Sequence, residues 1–197
     1  MNNMIFAVAT NNQKKLKEIQ RILDSFGITA KTLKELGIEC EIEENGTTFE
    51  ENAVIKARTI AEIANLPTIS DDSGLEVDAL GGKPGVYTAR FAGPHATDDE
   101  NIDKLLASLE GVEKEKRTAR FVSAVCLYMP NGEHTVCRGT CEGRIGFERV
   151  GDGGFGYDPV FMVGEKSYSQ MTAQEKDAIS HRGSALRQLK EKIGDFI

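Results

Sequence analysis

The decisive stretch is Thr68-Ile69-Ser70-Asp71-Asp72-Ser73-Gly74-Leu75-Glu76-Val77. An apolar run entering through Thr68-Ile69 stops at two adjacent carboxylates. After Gly74 it gives way to Leu75, Val77 and Ala79, spaced two apart. That period is the mark of an extended segment with one buried face. The stretch therefore reads as the end of a buried strand, a glycine turn and a second extended piece. Two acids at the mouth of a strand are costly unless a cation, a proton or a basic ligand stands between them. In an open α/β sheet the carboxyl ends of strands are where ligands bind. Paired hard oxygens there suggest a divalent metal, Mg²⁺ first, shared with a phosphate. The competing reading is a plain turn, since Asp, Ser and Gly are common turn residues. Neighbouring side chains on an extended chain point to opposite sides, so Asp71 and Asp72 need a further carboxylate to hold one ion. Glu43 and Glu44 are the nearest candidates.

Upstream, Met4 to Thr10 forms a short apolar run that reads as a buried first strand. Asn11-Asn12-Gln13-Lys14-Lys15 follows, and Leu16, Ile19, Ile22, Leu23 and Phe26 then recur at helical spacing up to Gly27. A helix N-terminus facing a strand end is an anion site through its backbone N–H groups and dipole. Lys14 and Lys15 add positive charge in a helical turn where the dipole disfavours it, which points to an anionic ligand. The spacing of a Walker loop is absent. Ile28 to Leu33 reads as a second strand, and the acidic run Glu39 to Glu44 ends at Asn45-Gly46. Thr47 or Thr48 then caps a helix that has Glu50 and Glu51 in its first turn and runs on through Ala53, Val54, Ala57, Ile60, Ala61 and Ala64.

Downstream, Leu80 to Gly85 is a loop by composition, and Val86 to Phe91 reads as a short extended piece. Thr97-Asp98-Asp99-Glu100 starts a helix carrying Ile102, Leu105, Leu106 and Leu109. Phe121 to Met129 is strongly strand-like, and Pro130-Asn131-Gly132 turns it into Glu133 to Arg144 as a long hairpin. Gly151-Asp152-Gly153-Gly154-Phe155-Gly156-Tyr157-Asp158-Pro159 sets two aromatic rings and an acid in a glycine-dense loop. Such a loop allows close backbone approach and offers flat faces on which a base stacks; a turn with Phe155 buried beneath it is the plainer alternative. Thr172 to Glu175 is a capping box for a short helix bearing Lys176. Ser180-His181-Arg182-Gly183 opens the last helix, again with cations against the dipole.

The 197 residues suffice for one large domain or a two-lobed one. A hydrophobic share of 40% with 28% charged residues is that of a soluble globular chain. The net charge of −7 argues against nucleic-acid polymers and anionic membranes as partners. Apolar runs fall short of a bilayer span, and Met1-Asn2-Asn3-Met4 lacks the basic start of a signal peptide. A cytoplasmic protein is expected. Cys40, Cys126, Cys137 and Cys141 form no Cys-x-x-Cys pair and read as reduced thiols, with no zinc site.

Five motifs together resemble the inosine/xanthosine triphosphate pyrophosphatases, hydrolases of non-canonical purine nucleotides. They are Ala9-Thr10-x-Asn12-x-x-Lys15, Thr48-Phe49-x-Glu51-Asn52-Ala53, Asp71-Asp72-Ser73-Gly74-Leu75, Gly153-Gly154-Phe155-Gly156-Tyr157-Asp158-Pro159 and Ser180-His181-Arg182-Gly183. The resemblance runs essentially end to end; Asn11 and Lys14 stand where the family often has glycine. It implies an α/β fold, a single two-lobed domain over 1–197 with a central twisted mixed sheet flanked by helices, and a nucleotide cleft between the lobes. It implies a homodimer and the hydrolysis of dITP, ITP or XTP to the monophosphate and pyrophosphate with Mg²⁺. By position, Thr10, Asn11, Asn12, Gln13, Lys14 and Lys15 would hold the triphosphate with Ser73 beside them. Asp72 would be the general base and a metal ligand, with Glu43 the matching carboxylate. Phe155 and Gly156 would meet the base, and Tyr157, Asp158, Lys176, His181 and Arg182 would line its pocket. A haloacid-dehalogenase-type phosphatase wants Asp-x-Asp, whereas these acids are adjacent. A non-catalytic nucleotide sensor would keep both loops without needing Asp72 or Glu43.

Overall fold

A computed structural model describes residues 4–196, apart from the side chain of Ile22. The expectations for Met1 to Asn3, and for Ile22 on its helix face, lie outside the described residues. The elements in chain order are β1 (Met4–Val8), α1 (Gln13–Asp24), β2 (Ile28–Thr32), α2 (Phe49–Ala64), β3 (Thr68–Val77), α3 (Asp98–Ser108), β4 (Thr118–Tyr128), β5 (His134–Ile145), β6 (Phe161–Val163), β7 (Lys166–Ser167), α4 (Ala173–Ile179) and α5 (His181–Ile193). Among the described residues the strands form one seven-stranded sheet in the order β2-β1-β3-β4-β5-β6-β7. β1 runs parallel to both β2 and β3, while β5–β6 and β6–β7 are antiparallel. The sheet is therefore mixed and flanked by helices, as expected. No described helix is long and apolar enough to cross a membrane.

The chain divides into two compact units. The first takes the chain up to Asp72, Ser123–Gly139 and everything from His181 on; the second takes Ser73–Val122 and Thr140–Ser180. In the first, period-two alternation along β1 sends Phe6 and Val8 into a core with Ile19 and Leu23 of α1 and Ala185, Leu186 and Leu189 of α5. The intervening Ala7 and Ala9 face Leu33 and Ile60 of α2. A strand buried on both faces needs apolar residues at every position, which is why Phe6 to Ala9 is unbroken apolar sequence, while Ile5 at the strand's start is exposed. Gly139 of β5 is required where α5 arrives: a Cβ there would strike the carbonyl of His181 and lie 2.6 Å from the Ala185 nitrogen.

The second unit is built on Leu75, Val77, Phe121, Ile145, Phe161, Tyr168, the α3 residues Ile102 and Leu105, and Leu109 just after that helix. Phe121, Phe161 and Tyr168 form an aromatic triad with ring centroids 4.6–5.5 Å apart. Arg117 is buried and closes the end of α3 by donating to the carbonyls of Leu109, Val112 and Gly146 at 2.8–2.9 Å.

Two expectations are corrected. β3 does not break at Gly74 but continues from Thr68 to Val77, so Asp71 and Asp72 lie within a strand rather than before a turn. Glycine permits a turn without imposing one, and ladder pairing decides between the two. Val86 to Phe91 is not extended: Gly85–Arg90 is a 3₁₀ helix. Its turns are fixed by Tyr87 N–H donating to Pro84 (3.1 Å) and by the Thr88 hydroxyl donating to the Gly85 carbonyl (2.6 Å) while accepting from Leu75 N–H (2.9 Å). The hairpin helices and strands otherwise follow the sequence reading, with the short β6 and β7 added by the structure.

Candidate active site

In the first unit, parallel pairing of β1 with β3 (Ala7 beside Thr68, Val8 beside Ile69) sets the start of α1 next to the two aspartates. Asn12 caps α1: its side-chain oxygen accepts from the N–H groups of Lys14 (3.0 Å) and Lys15 (3.1 Å). The Thr10 hydroxyl accepts from Asn12 N–H at 3.1 Å, which shapes the loop from within. Asn11, Gln13 and Lys14 are exposed, and Asn11 also lines a cavity of about 430 Å³ with Leu33, Lys34, Gly37, Ile38, Glu39 and Cys40.

Asp71 and Asp72 go to different partners, as opposite-facing neighbours on a strand must. Asp71 is fully buried. Lys15 Nζ lies 3.1 Å from it and Arg182 donates to it at 3.2 Å; the Ser123 hydroxyl also donates. Arg182, itself 1% exposed, also pairs with Glu18. Burial alone would raise the Asp71 pKa, but Arg182, Lys15 and Ser123 outweigh it and hold the carboxyl well below the usual aspartate range. Burial lowers the Lys15 pKa, with Arg182 and Lys56 adding to this against the pull of Asp71.

Asp72 has a different electrostatic fate. Burial raises its pKa and Glu44 adds to the rise, against the opposing pull of Lys56. Lys56 Nζ stands 2.9 Å from Asp72 and 3.1 Å from Glu44. Burial works to lower the Lys56 pKa, but Asp72 and Glu44 together raise it. Glu43 is exposed, one position before Glu44. Two carboxylates thus converge on one ammonium. Among the described residues no three His, Cys, Asp or Glu side chains gather closely enough to hold a metal by themselves.

In the second unit the glycine loop is folded around Asp158, which accepts from Phe155 N–H at 3.1 Å and from Lys176 Nζ at 2.7 Å. Gly154 is obligatory. Its φ is +76°, and a Cβ would run into the Asp158 carboxylate. The Lys176 ammonium stands over the Phe155 ring, 4.9 Å from its centroid, and is also 5.2 Å from that of Tyr168. Phe155 and Gly156 are half-buried. Tyr157 is buried, its hydroxyl donating to the Thr88 carbonyl at 2.8 Å; burial, with the Asp98 charge adding, pushes its phenol up. Ser73 continues β3 directly after Asp72.

The expected residues thus fall into two groups. Thr10 to Lys15, Glu43, Asp72, His181 and Arg182 belong to the first unit, and Ser73, Phe155 to Asp158 and Lys176 to the second. Arg182 stands with Lys15 at Asp71. The sequence reading did not single out Lys56, Glu18 or Ser123. Their signal was present: Lys56 lies four residues from Asn52 and Ile60 on the buried face of α2, Glu18 adjoins Ile19, and Ser123 interrupts the apolar run of β4. A charged or polar group at a core-facing position needs a partner.

An α/β sheet carrying a capped lysine loop at one strand end, paired strand aspartates and an aromatic glycine loop has the parts of a nucleotide-handling enzyme. The Ham1 family profile matches residues 6–192, and the chain belongs to that family. It is 48% identical over 188 residues to the dITP/XTP pyrophosphatase of Bacillus subtilis, covering 94% of this chain and 95% of that one. A Coxiella burnetii HAM1 protein superimposes with a TM-score of 0.88 at 41% identity, over 98% of this chain and 99% of that one. A Mycobacterium abscessus nucleoside-triphosphatase / dITP/XTP pyrophosphatase gives 0.77 at 44% identity, over 94% and 98%.

Proposed function

We propose that this protein hydrolyses non-canonical purine nucleoside triphosphates (dITP, ITP, XTP) to the monophosphate and pyrophosphate, clearing them from the nucleotide pool. The observation that carries the reading is the division of labour between the strand aspartates. Asp71 is taken up by Lys15, Arg182 and Ser123, whereas its neighbour Asp72 faces the other way, beside Lys56 and Glu44. A carboxylate so placed, not consumed by the cation cluster at Asp71, can serve as the general base. The names of the relatives supply the substrate class.

In this mechanism the loop Thr10 to Lys15 and Ser73 bind the triphosphate, and Lys15 and Lys56 offset its charge. Asp72 orients a water and accepts its proton as the α–β anhydride opens and pyrophosphate departs. The fit of a divalent ion rests on Asp72 and Glu44, whose oxygens already converge on a cation, the Lys56 ammonium. Asp72 with the acidic residues Glu43 and Glu44 would hold Mg²⁺ through hard oxygen donors, leaving positions for phosphate and water. The bound ion would supply neutralisation of phosphate charge.

Phe155 stacks on the purine, and Tyr157, Asp158, Lys176, His181 and Arg182 contribute to recognising it. A donor such as Lys176 suits the 6-keto oxygen of hypoxanthine or xanthine; adenine, presenting an amine there, leaves the donor unpaired. The working form is a cytoplasmic homodimer in which residues 1–197 act as one nucleotide pyrophosphatase domain.

The test is a product assay with Mg²⁺ and dITP, XTP, dATP or dGTP, resolving pyrophosphate from orthophosphate. Rapid pyrophosphate release from dITP and XTP alone is expected, with a loss of at least about 100-fold in kcat for Asp72→Asn. Orthophosphate as the product, or nucleotide binding without turnover, would sink the reading.

A further inference from the structure

We propose that Asp98 is a positioning residue for the nucleobase loop, mooring Gly156 so that the Phe155 ring is presented in one orientation; the proposal rests on the nucleotide-hydrolase reading above. Asp98 is the first residue of α3, yet capping does not occupy its carboxylate. The cap is Thr97, whose hydroxyl accepts from Glu100 N–H at 3.2 Å while the Glu100 carboxylate accepts from Thr97 N–H at 2.8 Å. The Asp98 carboxylate accepts instead from Gly156 N–H at 2.9 Å, across 58 residues of sequence.

Two consecutive amides are thereby held by carboxylates from different places. Phe155 N–H is bound by Asp158 at 3.1 Å and Gly156 N–H by Asp98 at 2.9 Å. Holding both N–H groups fixes the peptide planes on either side of Phe155, and with them the backbone from which the ring projects. Gly156 has φ +59° and nothing within 4 Å of a would-be Cβ, so no side-chain packing restrains it. Elsewhere the loop is held by the Ser169 hydroxyl, which donates to the Gly153 carbonyl at 2.6 Å, and α3 adds a further tie close by. Arg149, just before the loop, donates to the Asp99 carbonyl (3.1 Å) and the Asp103 carboxylate (2.8 Å). Asn101 ties α3 to the neighbouring segment through Ala92 N–H (2.8 Å) and the Ala89 carbonyl (3.1 Å). The acidic start of α3 thus serves as a bollard for the loop, and Asp98 is its contact nearest Phe155.

The experiment compares wild type, Asp98→Ala and Asp98→Asn in two readouts: amide hydrogen exchange of the 153–158 peptide without nucleotide, and steady-state kinetics on dITP. Asp98→Ala should exchange faster at this peptide and raise KM about fivefold, with kcat changed less than about twofold. Asp98→Asn retains an acceptor oxygen and should restore most of both. Unchanged exchange in the alanine variant overturns the proposal. So does loss of protection spread across the whole chain, a fall in kcat at constant KM, or an asparagine variant as impaired as alanine. A wild type inactive on dITP would refute the hydrolase reading, and the exchange comparison would still decide the mooring.

Discussion

Replacing Asp71 with asparagine removes a negative charge shared by the half-buried Lys15 and the buried Arg182. Lys15 and Arg182 lie 3.1 and 3.2 Å from it, and the Asp71 side chain has no exposed surface. Breaking a buried pair by deleting one partner costs about 3–5 kcal/mol, because the remaining charge is stranded. Asparagine keeps an acceptor oxygen for Arg182, and Glu18 still pairs with that guanidinium, which places the expected loss near the lower end, about 3 kcal/mol. At about 2–4 °C per kcal/mol for a chain of this size, Tm should fall by about 6–12 °C. Thermal and urea melts followed by circular dichroism check it, with a lower urea midpoint and an unchanged slope. Adding Lys15→Met to the variant should recover part of the loss, since it removes one stranded cation. The pH dependence has a definite sign. The folded pKa of Asp71 is depressed, so its stabilisation is complete above the unfolded value of about 3.9 and lost as pH falls through the folded value. The gap between wild type and variant should therefore be flat from about pH 5 to 8 and close only in acid. A Tm within about 2 °C of wild type at neutral pH would refute the view of Asp71 as the neutralising centre.

Three further outcomes are expected. Gly154→Ala forces an L side chain to φ +76° against the Asp158 carboxylate; it should cost about 1–2 kcal/mol in chemical denaturation and weaken dITP binding, seen as a raised KM. Lys176→Met leaves Asp158 without its buried cation and should narrow the dITP-over-dATP preference in kcat/KM by about tenfold, measured with competing substrates. In native protein a thiol reagent at pH 8 should label Cys40 quickly and Cys126, Cys137 and Cys141 only on unfolding. Those three are buried, and burial pushes the Cys126 thiol up to about 12.

Much of this could be read without coordinates. Helical periodicity located α1, α2, α3 and α5, Thr172 and Glu175 announced α4, and the apolar run from Phe6 to Ala9 reflects burial on both faces by α1, α5 and α2. The chemistry-bearing residues were legible because they violate local rules: lysines in a first helical turn, adjacent acids in a strand, glycines packed around two rings. Such violations are written in the chain itself. What the chain could not give was pairing across distance. Gly74 looked like a turn, but β3 runs through it because a ladder position outweighs local permissiveness. Residues 86–91 looked extended, but the Thr88 hydroxyl and the Pro84 carbonyl close them into 3₁₀ turns.

The sequence by itself determined the α/β class, through its periodicity, and the list of chemical groups, and its five motifs resemble one family. Only the tertiary structure assigned Asp71 to Lys15 and Arg182, gave Asp72 to Lys56 and Glu44, and brought Asp98 to Gly156. A charge takes its pKa and its role from whatever lies within a few ångströms, and those neighbours are 12 to 111 residues away along the chain.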